Sequence, residues 1–278
     1  MRTRLVPVRC QRPDGLCRNQ LDLGCGRRGN PALTLWLTLG GGICGALAGS
    51  FIATWTQRWG EGRSIDGRSA CDACGRRLLA CDLIPLVSWL ALRGRCRTCS
   101  VAIGLRQPLV ELAGAVWGAV ALFLLPGWGG VGAALFGWQL LALSLCDLEH
   151  FRLPRGQTLT LMLTGLGSAA LLGTPDLMDR LLGGLAGFAA LALIAWLYRV
   201  VRGRAGLGAG DAHLLGGIGC WLGWQALPLC LLFASLSGLA AALALKVAGR
   251  LVNGRTKLPF GPMLSAGALW VWMAAHQG

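Results

Sequence analysis

Two carboxylates stand where a chain this apolar has least use for charge. Asp147 closes the uncharged run 130–146, and Asp211 ends Gly208-Ala209-Gly210-Asp211 and opens the next apolar stretch. An aspartate at the centre of a membrane helix costs roughly 2.5–3.5 kcal/mol on insertion scales, so one retained at bilayer depth is a functional candidate. Gly208 and Gly210 carry no Cβ, which lets a second backbone come close. Two carboxylates sharing one site cannot both ionise readily: one stays neutral and hydrogen-bonds, while the other takes up protons. Such a pair can activate a water against a peptide carbonyl and protonate the leaving amine, with no cofactor. Either residue alone reads equally well as an interfacial charge capping a helix start. Glu149 and His150, equally ionisable, compete with Asp147 for the role or are solvated loop residues; Glu111 reads as a packing or interface residue and His213 as a hydrogen-bonded core histidine.

A second chemistry lies upstream. Cys71-Asp72-Ala73-Cys74 is followed, after 21 residues, by Cys96-Arg97-Thr98-Cys99. Each CxxC knuckle supplies two thiolates, and four complete a closed tetrahedron around Zn²⁺. With no open ligand position the metal is structural, and in an arginine-rich segment with little apolar content it supplies folding free energy. The plainer reading is four reduced thiols. Cys81 is spare, and Cys44, Cys146, Cys220 and Cys230 fall in apolar runs as small hydrophobes. Paired cysteines of this kind belong to a reducing compartment.

The elements that position these groups follow from composition. Of 278 residues 54% are hydrophobic and only 14% charged, against about 25% charged in soluble domains. Apolar runs at 33–56, 108–125, 130–146, 157–173, 180–201, 211–225, 227–247 and 261–276 predict an all-α polytopic membrane protein of about eight transmembrane helices. The expected divisions are a basic tail over 1–32, a first span over 33–56, a cysteine module over 57–107 and a membrane core over 108–278. Glycines four residues apart, Gly114 with Gly118 and Gly183 with Gly187, suit close helix packing in lipid. The net charge of +14 resides in loops between spans, so it sets topology and does not mark a nucleic-acid site. Arginines of the 57–107 segment and the basic residues near 147–156, 199–210 and 246–260 place those loops, and both aspartates, at the cytoplasmic face. Arg180 is the exception on the other side, and the arginines of the first thirty residues disagree with this orientation. Leu21-Asp22-Leu23-Gly24-Cys25-Gly26 is similar to a methyltransferase cofactor loop, but no doubly wound domain follows it.

Several motifs together resemble one family. They are Gly49-Ser50-Phe51, the two knuckles with Ile84-Pro85-Leu86-Val87-Ser88-Trp89 and Leu92-Arg93-Gly94-Arg95 between them, and Gln107-Pro108-Leu109-Val110-Glu111. Asp147 with Leu153-Pro154, Gly208 to Asp211, and Leu258-Pro259-Phe260-Gly261-Pro262 complete the set. Over residues 40–275 the chain resembles the type IV prepilin peptidases, which are GxGD membrane aspartic proteases and N-methyltransferases. The resemblance implies Asp147 and Asp211 as catalytic residues and prepilins or pseudopilins as substrates, in the bacterial inner membrane. It implies leader removal after a glycine at the cytoplasmic face, then methylation of the new amino terminus by S-adenosylmethionine, whose binding residues are not readable. Leader removal without methylation, and a non-catalytic zinc-stabilised scaffold for pilus or secretion assembly, are the alternatives. The chain departs from the family pattern at His213 (usually lysine), at Arg155 (usually acidic) and at Ala53-Thr54 (an expected asparagine).

Overall fold

A computed structural model describes residues 31–64, 66–203, 208–249 and 258–276. The arginines of the tail, the Leu21–Gly26 loop, Arg204, Arg250, Arg255 and Lys257 lie outside the described residues. Among the described residues the fold is entirely helical, with two isolated β-bridges in the cysteine module. Helix α1 spans Pro31–Gly60, and the module that follows contains a one-turn 3-10 helix, Ala80–Leu83, and the short α2, Val87–Ala91. The membrane part continues through α3 (Arg106–Leu124), α4 (Trp128–His150), α5 (Arg155–Gly167) and the one-turn α6 (Ala169–Leu172). After these come α7 (Leu177–Arg202), α8 (Ala209–Leu222), α9 (Leu227–Val247) and α10 (Gly261–Ala275).

All eight apolar runs are helical, but among the described residues five helices are long and apolar enough to cross a membrane: α1, α3, α4, α7, and α9 with the turn before it. The other three, α5, α8 and α10, have 13, 14 and 15 residues. At 1.5 Å per residue they reach only about 20–23 Å, short of the roughly 30 Å hydrocarbon thickness. Burial explains α8. Asp211, Ala212 and every residue from Leu214 to Trp221 are buried, so this helix is apolar all round because it is the centre of the bundle. Its partners in one continuous core include Phe136, Leu140 and Leu143 of α4, Leu161 of α5 and Leu264 of α10.

Two helix pairs show what holds such a bundle where lipid is as apolar as leucine and contact must come from close packing. An added Cβ at Gly45 of α1 would overlap the Gly114 carbonyl of α3, and one at Gly118 would overlap the Gly41 carbonyl. Gly183 and Gly187 of α7 meet Gly219 and Leu215 of α8 in the same manner. The small-residue spacing of the sequence is therefore packing, as expected.

Arg180 is not a topology signal. It is 1% exposed at the start of α7, and its guanidinium donates to the carbonyls of Pro175 (2.9 Å), Gly165 (2.8 Å), Thr174 and Cys220 (both 3.3 Å) and to Ser168 Oγ (2.7 Å). The charge ties together the ends of α5, α7 and α8, which is why a lone basic residue is tolerated on that side.

Candidate active site and cysteine module

Asp147 lies in the last turn of α4 and Asp211 in the first turn of α8. They are 7% and 6% exposed, and both line one cavity of about 880 Å³. Helix α4 ends just beyond at Phe151, whose φ of +51° is left-handed and whose N–H donates to the Asp147 carbonyl at 3.0 Å. A non-glycine residue there costs on the order of 1–2 kcal/mol. The tight turn lets Leu153 and Pro154 come back along the cavity wall and start α5.

The glycines of the second motif have distinct neighbours. A Cβ at Gly210 would stand 2.9 Å from the Leu153 side chain, and one at Gly208 would stand 3.1 Å from Asp211 Oδ2. Any side chain at either position would push on the site. His213, two residues beyond Asp211, also lines the cavity; its Nδ1 pairs with the Ala209 carbonyl at 2.9 Å and its ring packs edge-on against Phe188. Arg155 and Arg152 give one wall of the cavity basic character.

Three groups that sequence reasoning left aside complete the surroundings. Gly261 donates its N–H to Asp147 Oδ2 at 2.8 Å from the start of α10. Trp55 and Trp59 of α1, stacked with ring centroids 6.5 Å apart, also line the cavity. Arg106, at the start of α3, grips both carboxylate oxygens of Glu149 (2.6 and 2.8 Å), the Ala53 carbonyl and Thr56 Oγ1. Glu149 therefore holds the end of α4 in place and does not compete for the role of Asp147. Ala53 is fully buried at this junction, so an asparagine there would need space the helices do not leave. Of these, only Gly261 had a signal in the sequence, as part of Pro259-Phe260-Gly261-Pro262.

The four cysteines do converge. Cys71, Cys74, Cys96 and Cys99 bring their sulfurs within 4.8 Å of one another, with Cys71 Sγ and Cys99 Sγ 3.8 Å apart. Four sulfurs about 2.3 Å from a tetrahedral Zn²⁺ stand about 3.8 Å from each other, so the cluster fits a metal ion. The two knuckles repeat one another. Gly75 and Ser100 each follow the second cysteine with positive φ and donate back to the first, to Cys71 and Cys96. The N–H groups of Cys99 and Thr98 directed at Cys96 bring its thiol down to about 6. At Cys99 the Val101 N–H pulls the same way, but burial and hydrogen bonds with the other sulfurs dominate and push it up to about 11. A bound cation removes that penalty, because a coordinated thiol is deprotonated outright.

Glu111 joins the module to the bundle. It is 5% exposed and accepts from the Leu86 N–H at 2.7 Å and from Gln107 Nε2 at 3.2 Å. A second cavity, of about 730 Å³, opens between the end of α1, the module and the start of α3, and Glu111, Gln107, Arg76 and Arg97 are among its lining residues.

The fold and this site define a helical membrane protein that presents two carboxylates to one cavity, with a four-thiol module at the same end. A model of the Bacterial Peptidase A24 N-terminal domain matches residues 43–125, and one of the Type IV leader peptidase family matches 134–243. The chain belongs to the type IV leader peptidase family. It is similar to proteins named prepilin leader peptidase/N-methyltransferase. That of Aeromonas hydrophila is 42% identical over 76% of this chain and 72% of its own length. That of Pseudomonas aeruginosa is 41% identical over 76% and 71%, and that of Stutzerimonas stutzeri 40% over 73% and 70%. No solved structure matches the chain.

Proposed function

We propose that this chain is a membrane aspartic endopeptidase that removes the leader of prepilins or pseudopilins after a glycine and then N-methylates the new amino terminus. The observation that carries the proposal is the placement of Asp147 and Asp211, separated by 63 residues, on one cavity at one end of the bundle. The basic loops argue that this end faces the cytoplasm of a bacterial inner membrane. The substrate's apolar segment lies in the bilayer, and its scissile bond emerges beside the pair.

In the reaction the ionised carboxylate takes a proton from water as its oxygen bonds to the scissile carbonyl carbon. The neutral partner gives its proton to the carbonyl oxygen. The first carboxyl then protonates the amide nitrogen, the C–N bond breaks, and the second recovers a proton from a diol hydroxyl. Both groups end as they began, and no cofactor enters.

The metal of the module is Zn²⁺, held by Cys71, Cys74, Cys96 and Cys99. It is structural, since four thiolates leave no position for a water. The second cavity suits S-adenosylmethionine, which supplies an electrophilic methyl group when bound. Arg76, which lines this cavity, is the guanidinium that can meet a carboxylate there, since Arg97 is already paired with Asp82 at 2.8 Å, and Glu111 can accept from a cationic or hydroxyl-bearing part.

The test is a cleavage assay on membranes with a prepilin substrate, followed by labelled methyl transfer. Asp147→Ala and Asp211→Ala each abolish leader removal while the protein still inserts. Normal processing by either variant overturns the dyad, and cleavage without label on the mature product would favour a peptidase lacking the second activity.

A further inference from the structure

Asp147 is badly placed for a negative charge by its own helix. It stands in the last turn of α4, where the carbonyl end of the dipole opposes an anion, and it is nearly closed off from water. The compensation comes from another helix. Gly261 opens α10, and its N–H belongs to the first turn, whose amides have no intrahelical acceptor. That N–H is directed at Asp147 Oδ2 at 2.8 Å, in a buried contact between residues 114 positions apart. The rest of α10 lies behind it with its positive end toward the carboxylate.

The residue type fits this duty. A Cβ at 261 would lie 2.9 Å from Asp147 Oδ2 and 3.1 Å from its Cγ, so any side chain would displace the carboxylate from the amide. Pro262 follows as an early helical residue, where a missing N–H is harmless. Together these account for the Phe260-Gly261-Pro262 sequence as the start of a helix aimed at Asp147. Among the described residues Asp211 has no such donor from a second helix: it sits in the first turn of α8 and the backbone beside it is that of its own loop, at Gly208.

We propose that Gly261 is a positioning residue of the aspartate site: its amide fixes Asp147 as the ionised member of the pair, which takes the proton from water while Asp211 enters the reaction protonated. This rests on the assignment of the two aspartates as the catalytic pair. Other titratable groups face the same space, and a pH profile must be read with them in view. Asp211 and His213 of α8, Arg155 of α5 and Arg152 in the preceding turn line the cavity with Asp147, and behind it on α4 stands Cys146, near Glu149 and the Arg106 guanidinium of α3.

The test removes the donor without adding a side chain. Glycolic acid placed at position 261 by cell-free translation into nanodiscs replaces the N–H with an ester oxygen. The expected result is a fall in kcat of about tenfold with KM unchanged, and an upward move of the acidic limb of the kcat profile by about one pH unit, since a hydrogen bond to a charged group is worth that much. Gly261→Ala keeps the N–H, but its methyl pushes the carboxylate off that amide, so it lowers kcat and moves the limb in the same direction as the ester. Ser265→Ala, one turn further along α10, leaves both unchanged. A merely structural role predicts the same loss from the ester and from Gly261→Ala, with no limb moving, and that result overturns the proposal. Movement of the alkaline limb alone also overturns it, because Asp147 would then be the neutral partner. Residual cleavage by Asp147→Asn at the wild-type rate, measured in parallel, would instead refute the dyad itself.

Discussion

The aspartate site and the cysteine module sit at the same end of the molecule and are built by opposite means. Around Asp147 and Asp211 the helices supply everything: Leu143, Leu214 and Leu264 are fully buried nearby, and a backbone amide from α10 completes the contact. The module has one short α-helix, and of its described residues only Gly94 and Cys96 are buried. Leu79, Ile84, Val87 and Leu90 remain exposed. What gives the module shape is four converging sulfurs, two matching turns, and the bond from Leu86 to Glu111. A membrane bundle can fix a carboxylate by packing, whereas a small polar insertion needs a metal to hold its geometry.

The contrast can be broken or sharpened in order of effect. The largest is expected at the pair itself: Asp147→Ala or Asp211→Ala should reduce leader cleavage by about 10³-fold or more, with zinc content and methyl-donor binding kept, as assayed on the same membranes. Next comes Cys71→Ser with Cys96→Ser, which should abolish metal binding and methyl transfer but leave cleavage within about tenfold, because the bundle does not draw on the module's fold. Equal loss of both activities would show that the two regions form one cooperative unit.

Arg180→Met tests the opposite end. It strips buried carbonyls of their donor and should lower stability by about 2–3 kcal/mol, seen as a reduced Tm in nanodiscs. Cleavage per folded molecule should stay near normal, since Arg180 is remote from the cavity. Arg106→Ala lies between the regions. Losing its grip on Glu149, Ala53 and Thr56 should cost about 1–2 kcal/mol and slow cleavage severalfold, as the end of α4 loosens.

The smallest effect is a pH dependence confined to the module. A folded-state thiol lowered to about 6 at Cys96 keeps its thiolate above that value. Metal affinity should therefore decline as pH falls, most steeply below about 6, when this sulfur also takes up a proton. Competition with a chromophoric chelator checks it, and a flat response would remove Cys96 from the ligand set.

Much of this was legible before any coordinates. Run length and hydropathy gave the helices, CxxC spacing gave the thiol cluster, and the cost of a charge in lipid singled out Asp147 and Asp211. The reading was less secure where helices are short. The sequence cannot distinguish a buried α8 from a lipid-facing span, because apolar composition is the same for both. Arg180 looked like a charge on the wrong side of the membrane, since nothing local announces five acceptors drawn from two helix ends and a loop. Glu149 looked like a rival carboxylate until Arg106, 43 residues away, was placed against it.

Residue type and local periodicity were thus enough to say which side chains carry chemistry and which segments are helical, because solvent preference and helix geometry act within a few residues. Which groups meet depended on tertiary structure. The Gly261 amide reaches Asp147 across 114 positions, and such a contact is set by how α4, α8 and α10 pack, a property no stretch of sequence holds by itself.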